Sequence, residues 1–216
     1  MTLLKVCGVK HPETLAWIDG SVDYVGFVYS ARGGARSISP READSLASTL
    51  SKSRPVIVMH GLSPEALVEE ALKLSSIGIV QIHDTYPPSV VAGVSLLLQA
   101  HGLRAAPVAL WDDGGWLTGP CMLQRELASL GVQVEYLLVD RVKGAPPLPG
   151  SVAAEAALCS GRLGVAGGLD PGRVCRLGFK PFLVDVSSWP EYEPGRKDPG
   201  RVLELRRSVR GCLGLG

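Results

Sequence analysis

A single-domain (β/α)8 barrel, the TIM-barrel member of the α/β class, is the fold this sequence predicts, and three observations carry it. Apolar runs of strand length alternate with helix-patterned segments along the whole chain. The runs are rich in Val, Ile and Leu without strict alternation, as in parallel strands covered on both faces. Eight such units share 216 residues, about 27 residues each, which suits a compact barrel. The competing doubly wound sheet normally carries a glycine-rich loop after its first strand. Here that strand ends Val6-Cys7-Gly8-Val9, which is no dinucleotide fingerprint. No linker or low-complexity tract divides residues 1–216, so one domain is expected.

The elements follow in order. Leu3–Cys7 reads as the first strand and His11–Asp19 as a short helix. Tyr24–Tyr29 is the second strand, followed by a Gly-Gly loop and a helix opened by Ser39-Pro40 that ends near Lys52. Pro55–Met59 is the third, and Ser63-Pro64-Glu65 starts a helix running to about Leu74. Ile77–His83 and Ala105–Trp111 are the fourth and fifth, with helices over Pro88–His101 and near Met122–Leu130. Val134–Asp140 is the sixth, followed by a poorly patterned segment and a helix across Ser151–Leu158. Gly161–Ala166 and Phe182–Val186 complete the strands, and Asp198-Pro199 opens a last helix that reaches Arg210. Helix starts recur as Ser-Pro or Asp-Pro, a cap followed by a proline whose missing N–H costs nothing there.

Composition narrows the function classes. With 46% hydrophobic and 20% charged residues, the chain is globular. No apolar run is long enough to cross a bilayer, and Met1 leads straight into a strand without a signal-peptide plan, so a cytosolic location is expected. A net charge of +1 without a basic stripe argues against nucleic acid. The five cysteines (Cys7, Cys121, Cys159, Cys175, Cys212) are scattered and odd in number. None has metal-ligand spacing and no disulfide framework is expected. All but Cys7 are read as small buried hydrophobes. Asparagine is absent, 15 arginines outnumber 7 lysines, and there are 16 prolines. That pattern suits a source living at high temperature.

In a barrel, chemistry sits at the C-terminal ends of the strands. Two turns stand out there. Leu163-Gly-Val-Ala-Gly-Gly-Leu-Asp-Pro and Phe182-Leu-Val-Asp-Val-Ser-Ser each end an apolar run in small residues. Gly167 and Gly168 let a ligand oxygen approach their amides, and Ser187 and Ser188 add hydroxyls and amides. Loops after strands seven and eight of a barrel hold phosphate, so these four residues are the expected phosphate site, against ordinary tight turns. Cys7 closes the first strand and is either a base or a core cysteine. Asp140 closes the sixth, either solvated at the rim or poised as an acid. Arg36 follows Gly33-Gly34 and can grip a carboxylate bidentately, or simply be solvated. Gln81, His83 and Asp185 are further strand-end polar groups, while Asp84, Asp112 and Asp113 look like turn residues.

Taken together these motifs resemble the phosphoribosylanthranilate isomerase family, in the right order over essentially the whole chain. Lys5-Val-Cys-Gly8, Tyr24-Val-Gly-Phe-Val-Tyr29, Arg36-Ser-Ile-Ser-Pro40, Val80-Gln-Ile-His83, Val165-Ala-Gly-Gly-Leu169 and Asp185-Val-Ser-Ser188 with Glu193-Pro-Gly-Arg-Lys-Asp198 carry the likeness. The resemblance implies an Amadori rearrangement of N-(5-phosphoribosyl)anthranilate without metal or organic cofactor. It implies Asp140 as general acid, Cys7 as general base, Arg36 on the anthranilate carboxylate, Asp185 on polar groups of the ligand, and the two small-residue loops on the phosphate. Gln81 and His83 would join the substrate-binding set. The partner is then a small phosphorylated substrate, and the enzyme a monomer or a homodimer.

Three loops depart from the family pattern. The glycine-rich loop after strand six is replaced by Arg141-Val-Lys-Gly-Ala-Pro-Pro-Leu-Pro149, where Lys143 could restore lost donors as a charge. Trp189-Pro190 follows Ser188 where glycine is usual, and Asp84 follows His83. These departures support the competing reading, a degenerate barrel that binds a phosphorylated ligand or a protein without turnover. A histidine-pathway aminoaldose isomerase is disfavoured by Cys7 and by the lack of an internal repeat.

Overall fold

In the computed structural model, which describes residues 1–214, eight parallel strands close into a barrel ringed by eight helices. The barrel strands are β1 (Leu3–Cys7), β2 (Tyr24–Ser30), β3 (Arg54–His60), β4 (Ile79–Ile82), β5 (Arg104–Asp112), β6 (Leu137–Arg141), β7 (Leu163–Val165) and β8 (Leu183–Val186). Each pairs with its sequence neighbours, and β1 pairs with β8 to complete the circle. The helices are α1 (Pro12–Ile18), α2 (Pro40–Ala47), α3 (Pro64–Ala71), α4 (Pro88–Ala100), α5 (Pro120–Ser129), α6 (Gly150–Ala157), α7 (Pro171–Cys175) and α8 (Pro199–Leu213). Seven of these eight begin with proline. Ser39, Ser63, Asp170 and Asp198 cap four of them, each accepting from the backbone N–H three residues further on. At α2 the Glu42 side chain also reaches back to the Ser39 amide, completing a capping box.

The period-two geometry of a strand sorts every run into an inner and an outer row. Tyr24, Val56, Ile79, Ala106, Val108, Leu110, Tyr136, Leu138 and Leu183 point inward and fill the barrel. Leu4, Val6, Val25, Phe27, Ile57, Met59, Val80, Ile82, Leu137, Val139, Val184 and Val186 point outward against the helices. Both faces are buried, which is why the runs lack polar alternation.

Several boundaries move. The second helix stops at Ala47 instead of near Lys52, and β6 starts at Leu137, three residues later than expected. Two small hairpin pieces were not foreseen: Gly115–Trp116 folds back on β5, and Glu191–Glu193 pairs with Arg196–Lys197. The cysteine reading needs correction. Cys121 bonds to Cys159 and Cys175 to Cys212, across Cα separations of 4.8 and 5.1 Å. Three of these four residues are exposed and Cys159 is half-buried, so they lie on the helical ring and not in the core. Each bond joins the units of consecutive helices, α5 with α6 and α7 with α8, a neighbourhood set by barrel closure and invisible in cysteine spacing. Among the described residues no helix is long and apolar enough to cross a membrane.

Candidate active site at the barrel mouth

The inner row of each strand ends at the mouth, and the inner residues there are the chemical ones. On β1, Leu3, Lys5 and Cys7 share the inner face, so Lys5 stands one layer beneath Cys7. Its Nζ is completely buried and donates to Asp185 Oδ2 at 2.6 Å and to Gln81 Oε1 at 2.8 Å. Burial alone would lower the Lys5 pKa, but Asp185 outweighs it and holds the ammonium above its ordinary range. Tyr136 donates to the same Gln81 oxygen at 3.1 Å. Asp185 Oδ1 is buried with no hydrogen-bond partner, a carboxylate oxygen left over at the floor of the mouth.

Cys7 is the free cysteine of the described residues and is buried. Burial pushes its thiol pKa up, while the ammonium groups of Lys5 and Lys197 pull the other way. Asp140, the next-to-last residue of β6, is pushed up to about 7 by burial, and nearby Asp185 adds to the rise. The Arg141 amide, donating to Asp140 Oδ1 at 2.7 Å, opposes it. A carboxyl half-protonated at neutrality therefore shares the mouth with the thiol. His83 is brought to about 4 by burial and by neighbouring His60 and Lys5, so it is neutral at pH 7, with a buried Nδ1 that has no partner.

Gly8 is the close-approach point of three loops. A Cβ there would lie 2.7 Å from Arg36 Cδ and 3.3 Å from Ser187 Oγ. Arg36 is not simply solvated: its Nε and Nη2 grip the carboxylate of Glu191 at 2.5–3.0 Å, leaving Nη1 without a protein partner among the described residues. Lys197, fully buried, donates to Glu191 at 2.6 Å and to the Ser187 carbonyl at 2.8 Å. Burial works to raise the Glu191 carboxyl, but the bonds from Arg36 and Lys197 win and hold it below the usual range. Glu191 and Lys197 come from the unforeseen hairpin, which braces the loop carrying Ser187 and Ser188.

Gly167 and Gly168 have φ of +93° and +79°, a turn that L side chains resist. A Cβ on Gly167 would meet Asp140 Oδ1 at 3.2 Å, so this glycine also lets the acid sit close. Among the described residues the amides of Gly167, Gly168, Ser187 and Ser188 donate to no acceptor in the chain. They stand on the loops after β7 and β8, adjacent strands of the barrel. Asp84, expected to be a turn residue, sits at a bend and is also buried: it accepts from the Gly61 amide at 2.6 Å and faces His60 at 3.7 Å. Asp112 does make a turn, accepting from Gly114.

Comparison with known proteins adds decisive weight. The chain is 38% identical to the N-(5'-phosphoribosyl)anthranilate isomerase of Aeropyrum pernix, over 98% of this chain and 99% of that protein. The chain belongs to the phosphoribosylanthranilate isomerase family. The family protein of Pyrobaculum islandicum is 35% identical, over 96% of this chain and 97% of its own. The solved phosphoribosylanthranilate isomerase of Thermotoga maritima shares the fold, with a TM-score of 0.76, 23% identity and coverage of 98% and 100%. No family model matches the sequence.

Cys7, Asp140, Gln81, His83 and Asp185, expected at strand ends, come together at one mouth. Lys5, Tyr136, Arg141, Glu191 and Lys197 join them without a role expected from the sequence. For Lys5 a signal existed: a lysine two residues before Cys7 in an otherwise apolar strand must share the inner row. For Glu191 and Lys197 none did, because their pairing depends on how the eighth loop folds back.

Proposed function

We propose that this chain isomerises N-(5-phosphoribosyl)anthranilate to 1-(2-carboxyphenylamino)-1-deoxyribulose 5-phosphate, the third step of tryptophan biosynthesis from chorismate, acting in the cytosol as one barrel domain. The observation that carries the mechanism is a carboxyl held near neutrality, Asp140, in the same mouth as the free thiol of Cys7. Asp140 gives its proton to the ring oxygen as the C1–O bond breaks, and the anthranilate nitrogen lone pair forms the Schiff base. Cys7, as thiolate, then takes the proton from C2, and the resulting enol-amine tautomerises to the ketone. The free Nη1 of Arg36 holds the anthranilate carboxylate, with Glu191 fixing the guanidinium plane. Asp185 Oδ1 accepts from a sugar hydroxyl, and Gln81 and neutral His83 line the floor beside it. The open amides of Gly167, Gly168, Ser187 and Ser188 support the phosphate assignment, since a dianion needs several short hydrogen bonds.

The test follows the loss of phosphoribosylanthranilate fluorescence. Wild type turns the substrate over, whereas Cys7→Ser and Asp140→Asn each lose about 10²–10⁴-fold in kcat with smaller changes in KM. A wild-type protein that binds the product without turning substrate over would instead support the non-catalytic barrel.

A further inference from the structure

The loop after β6 is one of the three that leave the family pattern, and the last residue of β6 is a cation that reaches the Gly167-Gly168 turn. Arg141 follows Asp140 directly and is half-buried. The strand end beneath it is held in register, Trp111 opposite Arg141, and the Val142 amide donates to the Trp111 carbonyl at 2.8 Å. The side chain therefore leaves the barrel over the neighbouring β7 loop. A Cβ on Gly168 would lie 3.0 Å from Arg141 Nη2 and 3.5 Å from Nε, and a Cβ on Gly167 would lie 3.3 Å from Arg141 Cγ. The guanidinium lies along the same two residues whose amides are open. Its Nη1 donates to the Ala145 carbonyl, while Nε and Nη2 have no protein acceptor among the described residues.

Charge makes the position more specific. Lys5 sits on Asp185, Arg36 and Lys197 on Glu191, and Arg173 lies 3.5 Å from Asp170. Arg141 is bound only to a neutral carbonyl. Pro190, two residues past Ser188, has no N–H to give. In Arg141 a phosphate dianion entering this turn meets a cation that no carboxylate has already neutralised.

We propose that Arg141 is a specificity-determining residue that takes the substrate's phosphate on its free Nε–Nη2 edge, together with the Gly167 and Gly168 amides. This rests on the phosphate assignment made above. A planar guanidinium fork matches two phosphate oxygens, and a lysine there supplies a point charge without the fork.

Arg141→Met and Arg141→Lys are compared with wild type by three readouts: steady-state kinetics, thermal shift with inorganic phosphate, and affinity for the reaction product and its dephosphorylated counterpart. Arg141→Met is expected to raise KM by about tenfold or more, with kcat changed less, and to abolish the phosphate-induced rise in melting temperature. Affinity for the dephosphorylated compound is expected to be unchanged, which also shows that the variant is folded. Arg141→Lys falls between the two. A phosphate-induced thermal shift in Arg141→Met equal to that of wild type overturns the proposal, as does equal weakening for both compounds or a fall in kcat alone. The thermal shift needs no turnover, so an inactive wild type would sink the functional reading while leaving this one to be decided on phosphate binding.

Discussion

At the residue scale, the role proposed for Asp140 is set against stability. Its folded pKa of about 7 lies above the roughly 3.9 of an unfolded aspartate, so the folded state favours the protonated carboxyl. The linked stability is fully present below about pH 4 and is lost as pH rises through 7. Asp140→Asn is therefore expected to melt above wild type at pH 8 and close to it at pH 4, while losing turnover as proposed above; equal melting temperatures at pH 8 would show that burial does not strain this group. The rate profile carries the same signature. In the proposed mechanism the productive form holds one proton on Asp140 and none on Cys7, whose thiol is pushed up by burial. The acid limb of kcat/KM should accordingly fall near pH 7 and the alkaline limb above the ordinary thiol range. An acid limb near pH 4 would remove Asp140 from the role.

At the element scale, two helix-to-strand turns at the opposite end of the barrel share a device. Asp19, just past α1, accepts from the amides of Ser51, Lys52 and Ser53 at 2.7–3.0 Å. Asp44 in α2 does the same for Ser75 and Ser76 in the next unit. In these two cases one carboxylate ties down the turn that feeds the following strand. Burial works to raise the Asp19 carboxyl, but the bonds from Ser51, Lys52 and Ser53 win and hold it below its ordinary value. The stability it contributes is present above about pH 4 and is lost as pH falls through the folded pKa. Asp19→Ala is expected to cost about 1–3 kcal/mol in denaturant unfolding at pH 7, through amides left without acceptors, and to leave KM unchanged. No loss of stability would mean that water replaces the carboxylate at this turn.

At the scale of the whole molecule, composition and cross-links point the same way. The chain has no asparagine, 16 prolines, and two disulfides joining residues 38 and 37 positions apart. Each such bond removes loop entropy from the unfolded chain, worth about 2–4 kcal/mol. With the cytosolic location proposed above, two disulfides suit a source of very high growth temperature, where intracellular disulfides are common. The oxidised protein is expected to melt above the roughly 45–65 °C range of ordinary domains, and reduction should lower that midpoint while leaving activity at moderate temperature intact. Peptide mapping without reductant should find Cys7 as a free thiol and the other four cysteines paired as described. Alternative pairings, or a midpoint inside the ordinary range, would defeat this account.

What the sequence by itself determined is what short-range rules control. Strand and helix order, proline-led helix starts and the strand-end positions of Cys7, Asp140 and Asp185 follow from periodicity and capping, which act over a few residues. The inner row followed too: once β1 is a strand, Lys5 and Cys7 must share a face. Only the tertiary structure decided what meets across the barrel. Lys5 finds Asp185 180 positions away, Arg36 finds Glu191 across 155, and the cysteines pair only because barrel closure sets their helices side by side. The pKa of Asp140 belongs to the same class, since burial is a property of the closed mouth and not of the residue. Contacts of that kind are fixed by closing the sheet on itself, and no local pattern along the chain records which residues closure will bring together.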